Sequence, residues 1–316
     1  MKPASTPDTP HPAEPLRLPE LRTWYVALTT ACNFHCAYCT FDRTMYQVRG
    51  QRSRIGFPML APDEWIRALN GVANRPDYLI FTGGEPTLHR GFADILKGLE
   101  GYAVKVNSNL DFDVDVFADA LGRGSRRIES CYLSYHPEYH APDSYAVRVA
   151  KLREAGICRR IVVNVMARDN GATAITEQET VATAMAGLGL EVDFGRTDLP
   201  EEYLQSAFLL QRRVLCDPGH IVIAPNGDVY DCFSKMYLRL EARANLLTRA
   251  RAANFAEINR DWIPCERFGQ CNPCQEKRQR MPVAEFARLE ALAREWAGRD
   301  GRAYALAPRD ELQPIR

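Results

Sequence analysis

The sequence lacks a long apolar run. Its first strong apolar segment, Trp24–Leu28, is far shorter than the ~20 residues that a membrane span needs, and the N-terminus has no apolar signal-peptide core. An excess of charge of one sign is also missing, because 40 Lys and Arg balance 40 Asp and Glu. Nothing therefore indicates a basic nucleic-acid surface, and we expect a cytosolic protein with no nucleic-acid or membrane partner.

The composition is that of a folded protein, with 46% apolar and 25% charged residues in 316. Six of the twenty prolines fall in residues 1–20, which we expect to form a flexible arm. Residues 21–198 then form the first predicted domain, and residues 199–316 form a second unit that ends in a helix near 283–297.

Strand and helix patterns alternate through the first domain. Strand candidates are Trp24–Leu28, Tyr78–Phe81, Ala103–Val106, Cys131–Leu133, Ile161–Val165 and Leu190–Phe194. Helix candidates begin at Pro62 and run near 91–100, 114–122, 143–155 and 176–187. About six βα units predict an α/β fold with a parallel sheet, either open and doubly wound or a partial barrel. In both arrangements the functional residues lie at the carboxyl ends of the strands.

Ten cysteines are many for a protein of the cytosol, where thiols stay reduced. Eight of them fall in an N-terminal trio and a C-terminal group of five, and this clustering favours metal binding over disulfides. Cys131 and Cys158 stand apart from both groups, and we interpret them as buried free thiols of the core.

The N-terminal trio is Cys32, Cys36 and Cys39, with the spacing C-x3-C-x2-C directly after the first strand. Three thiolates this close can hold three irons of a 4Fe–4S cluster and leave the fourth iron open. A zinc site completed by His35 is the alternative, although that side chain would crowd the metal.

This motif, with the aromatic Tyr38 before its last cysteine, resembles the radical S-adenosylmethionine (SAM) superfamily. The resemblance implies a partial (β/α)6 TIM-like barrel. It also implies that SAM chelates the open iron and is cleaved on reduction to methionine and a 5′-deoxyadenosyl radical, which abstracts hydrogen from a substrate. An electron donor such as flavodoxin or ferredoxin is expected as a partner.

The segment Gly83-Gly84-Glu85-Pro86 follows the second strand and matches the family's GGE motif. Glycines at a strand end let the backbone approach a ligand closely. The resemblance implies that this segment binds SAM, with Glu85 on the ammonium group. A tight turn with a solvated Glu85 is the alternative.

Three further strand ends carry candidates for cofactor contact. Asn109 lies where the family often has Thr-Asn-Gly, although this chain has Leu110 in place of the glycine. The resemblance implies that Asn109 contacts the SAM ribose and Ser134 the SAM carboxylate. Asn164 is a third candidate, with turn capping as the alternative for it and for Asn170.

Other polar residues near the strand ends are candidates for substrate contact or turn structure. They are Tyr135, His136, Glu138, Tyr139, His140, Asp193 and Arg196. His136 and His140 are spaced i, i+4, but Pro137 between them argues against a regular helix that would make them a metal pair.

The C-terminal group contains Cys216 and Cys232 on either side of a predicted hairpin whose turn is Asn226-Gly227, followed by the pair Cys271 and Cys274. A zinc ribbon is one interpretation of four such thiolates. Together with the trio, the group resembles the twitch and SPASM extensions of radical SAM enzymes. That resemblance implies a second, auxiliary 4Fe–4S cluster on these four cysteines.

Cys265 is then a spare thiol, and we interpret it as a packed residue or as a hydrogen-atom donor. A donor would favour epimerisation, whereas two-electron oxidation would pass an electron to the auxiliary cluster and need no free thiol.

Resemblance to aminocyclitol dehydrogenases and aminoglycoside epimerases implies a small polar natural product as substrate and a role in antibiotic biosynthesis. The first alternative is a radical SAM maturase of ribosomal peptides, which is disfavoured because only about 23 residues, rich in proline, precede the first strand. A non-enzymatic zinc or iron–sulfur binding protein is the remote alternative.

Overall fold

A parallel sheet forms the centre of the chain. The computed structural model describes residues 16–18, 20, 23–36, 39, 56–166, 172–195, 212–216, 219–240, 242–248, 263–268, 291, 294–295, 298 and 305–306. Six strands lie side by side in chain order, each parallel to the next. They are β1 (Thr23–Thr29), β2 (Tyr78–Gly83), β3 (Val104–Ser108), β4 (Ile128–Tyr135), β5 (Cys158–Met166) and β6 (Glu191–Gly195).

The strand order has no switch point, since each strand neighbours its successor in the chain. A doubly wound sheet would reverse its order, whereas a barrel keeps it. The arrangement is therefore that of a partial (β/α)6 barrel, and the prediction of an α/β fold is confirmed.

An α-helix follows each of the strands from β1 to β5 in the chain. These helices are α1 (Pro62–Asn70), α2 (Phe92–Gly98), α3 (Val114–Leu121), α4 (Pro142–Ala155) and α5 (Ala172–Gly187). Proline at the first position starts α1 and α4, and Gly156, with φ of 64°, ends α4 in the left-handed region. Among the described residues, no helix is both long and apolar enough to cross a membrane.

Alternate residues of the strands pack on opposite faces of the sheet. Trp24, Val26 and Leu28 of β1 belong to the main core together with helix residues such as Trp65 of α1. Tyr25 and Ala27 face the other side and pack in a second cluster. Helices from α1 to α5 thus cover one face of the sheet, and the other face is the inner face of the partial barrel.

The sheet continues beyond β6 in the chain. β7 (Arg212–Cys216) comes next but pairs elsewhere, whereas β8 (His220–Ile223) hydrogen-bonds parallel to β1. β8 forms a hairpin with β9 (Asp228–Tyr230), as the Asn-Gly turn predicts, and β10 (Ala244–Asn245) pairs with β9. The α6 helix (Phe233–Leu238) packs on the inner face through Met236. The domain boundary at 198 stays a prediction, although the central sheet extends past it.

A smaller sheet is formed by β7 between β11 (Ile263–Phe268) and β12 (Ala305–Leu306). Four described residues within or next to the predicted terminal helix, 291, 294, 295 and 298, are helical. The rest of that predicted helix lies outside the described residues.

The end of the predicted flexible arm differs from the expectation. Leu16 and Leu18 are buried, Leu16 forms a β-bridge with Val72, and the backbone N–H of Leu18 donates to the Asn74 side chain at 2.9 Å. Two leucines at alternate positions present one apolar face, and this face packs into the main core. Residues 1–15 lie outside the described residues.

Cys131 and Cys158 also differ from the expectation, because they form a disulfide. Cys131 is buried in the main core and Cys158 packs against it, as predicted, but neither is a free thiol. The reason is geometric: the two residues lie on the neighbouring strands β4 and β5 with Cα atoms 6.4 Å apart, which is within bridging distance.

Candidate active site

The cysteine trio lies in the loop that leaves the carboxyl end of β1. Cys32, Cys36 and Cys39 pack in one cluster around the buried side chain of Phe34. The backbone N–H of Cys39 donates to the carbonyl of Cys36 at 3.0 Å, which closes a tight turn. The structure therefore brings the three predicted ligands together, while Tyr38 lies outside the described residues.

Nitrogen groups surround the thiols of this loop. The backbone N–H of Phe34 lies 3.4 Å from Cys32 Sγ, and Asn109 Nδ2 lies 3.8 Å from the same sulfur. His136 Nδ1 lies 3.5 Å from Cys36 Sγ. Such donors stabilise thiolates, which is the ligand form that an iron–sulfur cluster needs.

The chemistry of the donor set suits a cluster better than a single ion. Among the described residues, no three Cys, His, Asp or Glu side chains converge as they would around one ion. A cubane cluster instead places each thiolate on its own iron, so its ligands need not meet at one point. The three cysteines and their donors therefore fit a 4Fe–4S cluster.

The Gly83-Gly84 segment runs directly against the cysteine loop. The N–H of Gly84 donates to Thr29 O at 2.9 Å, and the N–H of Glu85 donates to Ala31 O at 2.8 Å. A Cβ at position 84 would lie 1.9 Å from Ala31 O, so the approach requires glycine. These contacts fix where the cysteine loop begins.

Glu85 is buried, with 1% of its surface exposed, and its carboxylate is held by three neighbours. Oε1 accepts from the Thr87 backbone and hydroxyl and from Ser108 Oγ, and Oε2 accepts from the Asn109 N–H at 2.8 Å. Burial raises the pKa of Glu85, and the four hydrogen bonds oppose that shift. The carboxylate thus ties the end of β2 to the end of β3, which a solvated Glu would not do.

Asn109 connects this network to the cysteine loop. Its Nδ2 donates to Asn33 Oδ1 at 2.8 Å, and Asn33 Nδ2 donates to Asp111 Oδ2 at 2.8 Å. Leu110, which replaces the family's glycine, has a φ of 60° in the left-handed region that glycine favours. Its complete burial in the core holds this conformation. The backbone at this position is therefore one that a glycine would adopt without strain.

Ser134 and Asn164 lie side by side on the inner face of the sheet. They are register partners on β4 and β5, and Asp193 of β6 is the register partner of Asn164. Asn164 Oδ1 is buried and has no hydrogen-bond partner in the described part of the chain. A buried acceptor without a donor costs free energy, so this position suits a ligand that carries one.

The loop after β4 contacts the cysteine loop rather than an open cavity. The backbone N–H groups of Tyr139 and His140 both donate to His136 O, so this segment is a turn, as one of the two interpretations predicts. Burial lowers the pKa of His136 to about 4, and His140 contributes to the same shift. Both histidines pack edge-on against Phe34, and His136 Nδ1 lies near Cys36 Sγ, while substrate contact by them stays a prediction.

The C-terminal cysteines are only partly within the described residues. Cys232 stands immediately before α6, and both it and Cys39 interact electrostatically with the buried Tyr237. Burial raises the pKa of Tyr237 well above its usual value, and negative charge on Cys39 and Cys232 raises it further. One residue of the second group therefore lies close to the first. Cys271, Cys274, Asn170 and Arg196 lie outside the described residues.

Cys216 and Cys265 occupy nearby positions in the smaller sheet. In the register of β7 and β11, Cys216 pairs with Ile263 and Cys265 pairs with Val214, so the two cysteines occupy diagonal register positions. The pattern of cysteines alone does not predict this juxtaposition.

Three residues that hold the site were missed by sequence reasoning: Asn33, Phe34 and Asp111. Two of them lie between the ligand cysteines, and that position was the available signal. Asp111 is 78 residues away from Asn33 in the chain, and no local pattern predicts their contact.

A parallel sheet whose first loop carries three clustered thiols, next to a buried glycine-glycine-glutamate turn, defines a strand-end site for a thiolate-held cluster. The chain matches the Radical SAM superfamily model over residues 26–197, more than half of its length, and it belongs to that superfamily. It is an enzyme of this class, and membership implies a 4Fe–4S cluster and SAM as cofactors.

One curated relative is the GTP 3',8-cyclase of Cronobacter sakazakii (strain ATCC BAA-894), which is 31% identical over 174 residues. The match covers 54% of this chain and 42% of the relative, so the chain spans less than half of that protein.

Two solved structures that are similar to this chain are those of Streptococcus suis SuiB, one bound to the precursor peptide SuiA and one bound to S-adenosylmethionine. Both are 11% identical to this chain. The TM-scores are 0.49 and 0.48, with 75% and 76% of this chain and 64% and 65% of those chains covered.

If the thiols of Cys32, Cys36 and Cys39 hold the cluster that superfamily membership implies, that cluster would supply the electron for reductive cleavage of SAM. The chain's own residues would hold the cluster through the three packed thiols, next to the Gly84 backbone that lies against the cysteine loop.

Glu85→Gln tests the carboxylate network. The new amide nitrogen must face one of four protein donors, which we expect to lower the free energy of unfolding by about 1–3 kcal/mol. If Glu85 also binds the SAM ammonium, SAM affinity falls about tenfold, or about 1.4 kcal/mol, while iron content stays near normal. Denaturant unfolding and SAM binding to the reconstituted protein measure both effects.

Glu100→Gln is the matched control, because Glu100 is exposed and the same change there should leave both quantities unaltered. Unchanged SAM affinity together with reduced stability would give Glu85 a structural role alone. Unchanged stability would contradict the network.

Proposed function

We propose that this enzyme removes a hydrogen atom from a carbon of a small polar natural product of the aminoglycoside or aminocyclitol type. The outcome is epimerisation or two-electron oxidation of that carbon. Family membership shows that the enzyme is of the radical SAM class. We propose in addition the class of its substrate and the fate of the substrate radical.

The observation that carries the polar substrate is the register row of Ser134, Asn164 and Asp193 on the neighbouring strands β4, β5 and β6. Its central member has a buried acceptor without a donor, and an aminocyclitol offers hydroxyl and ammonium donors to such a row. Ser134 and Asn164 remain predicted SAM contacts, so the row would lie where cofactor and substrate meet.

Aromatic and cationic groups continue the inner face below this row. Lys105 Nζ lies 3.3 Å from the centroid of the Tyr78 ring and 5.8 Å from that of Tyr132. Tyr78 and Lys105 lie at the amino ends of β2 and β3, away from the strand ends next to the cysteine loop.

The proposal includes the auxiliary 4Fe–4S cluster on Cys216, Cys232, Cys271 and Cys274. It is supported by the position of Cys232, whose thiol lies near Tyr237 together with Cys39 of the first site. Oxygen-labile clusters of this kind require a reducing compartment, and we place the enzyme in the cytosol with a flavodoxin- or ferredoxin-like reductant.

Transfer of a substrate hydrogen tests the substrate class. The reconstituted enzyme is incubated anaerobically with SAM, a reductant and carbon-deuterated aminocyclitols or aminoglycosides, and 5′-deoxyadenosine is analysed by mass spectrometry. We expect deuterium in the 5′-deoxyadenosine from at least one compound. Parallel reactions contain deuterated peptides and deuterated GTP, the substrates that the names of the similar proteins suggest. Transfer from either of these, with none from the sugars, would contradict the proposal.

Cys265→Ala separates epimerisation from oxidation. In epimerisation, a thiol returns a hydrogen atom to the opposite face of the carbon, and the resulting thiyl radical regains one electron and one proton from the reductant. If Cys265 is that donor, the variant keeps its iron and its SAM cleavage but no longer inverts the product. Cys158→Ala is the control, since it removes a cysteine that lies in a core disulfide.

The other outcomes for Cys265→Ala are equally specific. Loss of about half of the iron would make Cys265 a cluster ligand, in keeping with its position diagonal to Cys216. Full activity with product inversion would exclude the donor role, and full activity with an oxidised product would favour the dehydrogenase reaction.

A further inference from the structure

The turn that follows β4 packs against the cysteine loop. Its residues 136–140 contact the loop in two ways, through rings stacked on Phe34 and through polar atoms. The cysteine motif does not predict either contact, since about a hundred residues separate the two segments.

Phe34 is enclosed by three rings of this turn. Tyr139 stacks on it with a centroid distance of 3.9 Å and an interplanar angle of 4°. His136 and His140 meet it edge-on at 5.5 Å and 5.4 Å. The backbone N–H of His35 also donates to the Tyr139 hydroxyl at 2.6 Å. The position of His136 is therefore fixed by packing as well as by the chain.

One polar atom of this turn reaches a cluster ligand. His136 Nδ1 lies 3.5 Å from Cys36 Sγ, and Cys36 is the most buried cysteine of the trio. As an iron ligand, Cys36 is a thiolate and can only accept a hydrogen bond, so a ring with its proton on Nδ1 donates to the sulfur. His140 points elsewhere, with Nε2 at 3.2 Å from Asn109 O.

We propose that His136 is a positioning residue that donates from Nδ1 to the Cys36 thiolate and so raises the reduction potential of the 4Fe–4S cluster. Reduction adds one negative charge to the cluster and its thiolates, and an N–H dipole aimed at a sulfur stabilises that added charge. The effect is strengthened by burial, because little water competes for the sulfur. The inference rests on a cluster held by the trio, as superfamily membership implies.

The test is a potentiometric titration of the reconstituted enzyme followed by electron paramagnetic resonance. The signal of interest is the one that changes on addition of SAM, which separates it from an auxiliary cluster. His136→Asn keeps an N–H donor near the position of Nδ1, and His136→Leu has a similar shape without a donor. Tyr139→Phe is the control, since it removes the hydroxyl that meets His35 without touching a thiol.

We expect His136→Leu to lower the ratio of reduced to oxidised cluster about tenfold at the wild-type midpoint potential. For a one-electron couple this is a shift of about 59 mV to more negative potential. His136→Asn and Tyr139→Phe should remain close to the wild type. Equal midpoints for the Leu variant and the wild type, or equal shifts in the Leu and Asn variants, would overturn the proposal.

If His136→Leu binds no iron on reconstitution, it has no cluster midpoint potential to compare. His136→Phe then keeps a ring against Phe34 without a donor, and its midpoint replaces that of the Leu variant. Iron bound by the Asn variant but by neither Leu nor Phe supports the N–H bond, whereas loss in all three assigns His136 to folding and overturns it. A wild-type protein that binds no iron on reconstitution would instead contradict the proposed function.

Discussion

The close approach of two strand ends is the constraint on which the site depends. The backbone of Gly84 passes so near Ala31 that a side chain would collide with it, and hydrogen bonds on both sides of this point join β2 to the start of the cysteine loop. The buried Glu85 carboxylate extends the contact to β3 through Ser108 and Asn109. Three strands are thereby joined at one edge by protein contacts alone, and this ordering lowers the entropy cost of gathering three thiolates.

Much of the fold could be predicted because its signals are local. Apolar strands alternating with amphipathic helices predicted β1 to β6, and the Asn226-Gly227 turn predicted the β8–β9 hairpin. What could not be predicted depends on distant contacts. The return of β8 to pair with β1 joins segments almost two hundred residues apart, and the disulfide depends on the register of β4 against β5. Neither is encoded by a periodic pattern.

The candidate site likewise has one part that local sequence patterns predict and another part that depends on distant contacts. Cysteine spacing predicted the trio, and the structure packs Cys32, Cys36 and Cys39 together. The side chains around the thiols come from the β3 and β4 loops, which reach the trio only through tertiary structure. At Leu110 the sequence departs from the family's glycine, and the backbone has a left-handed conformation. For a residue other than glycine, this conformation costs about 1–2 kcal/mol of local strain. Burial of its side chain offsets that cost.

The central claim is that Cys32, Cys36 and Cys39 hold the cluster that cleaves SAM. Its most direct test replaces all three by alanine and measures iron content and 5′-deoxyadenosine formation after anaerobic reconstitution. With an auxiliary cluster present, about half of the iron should be lost, because one of two thiolate-held clusters is removed, and SAM cleavage should disappear. Formation of 5′-deoxyadenosine at the wild-type rate by the triple variant would contradict the account.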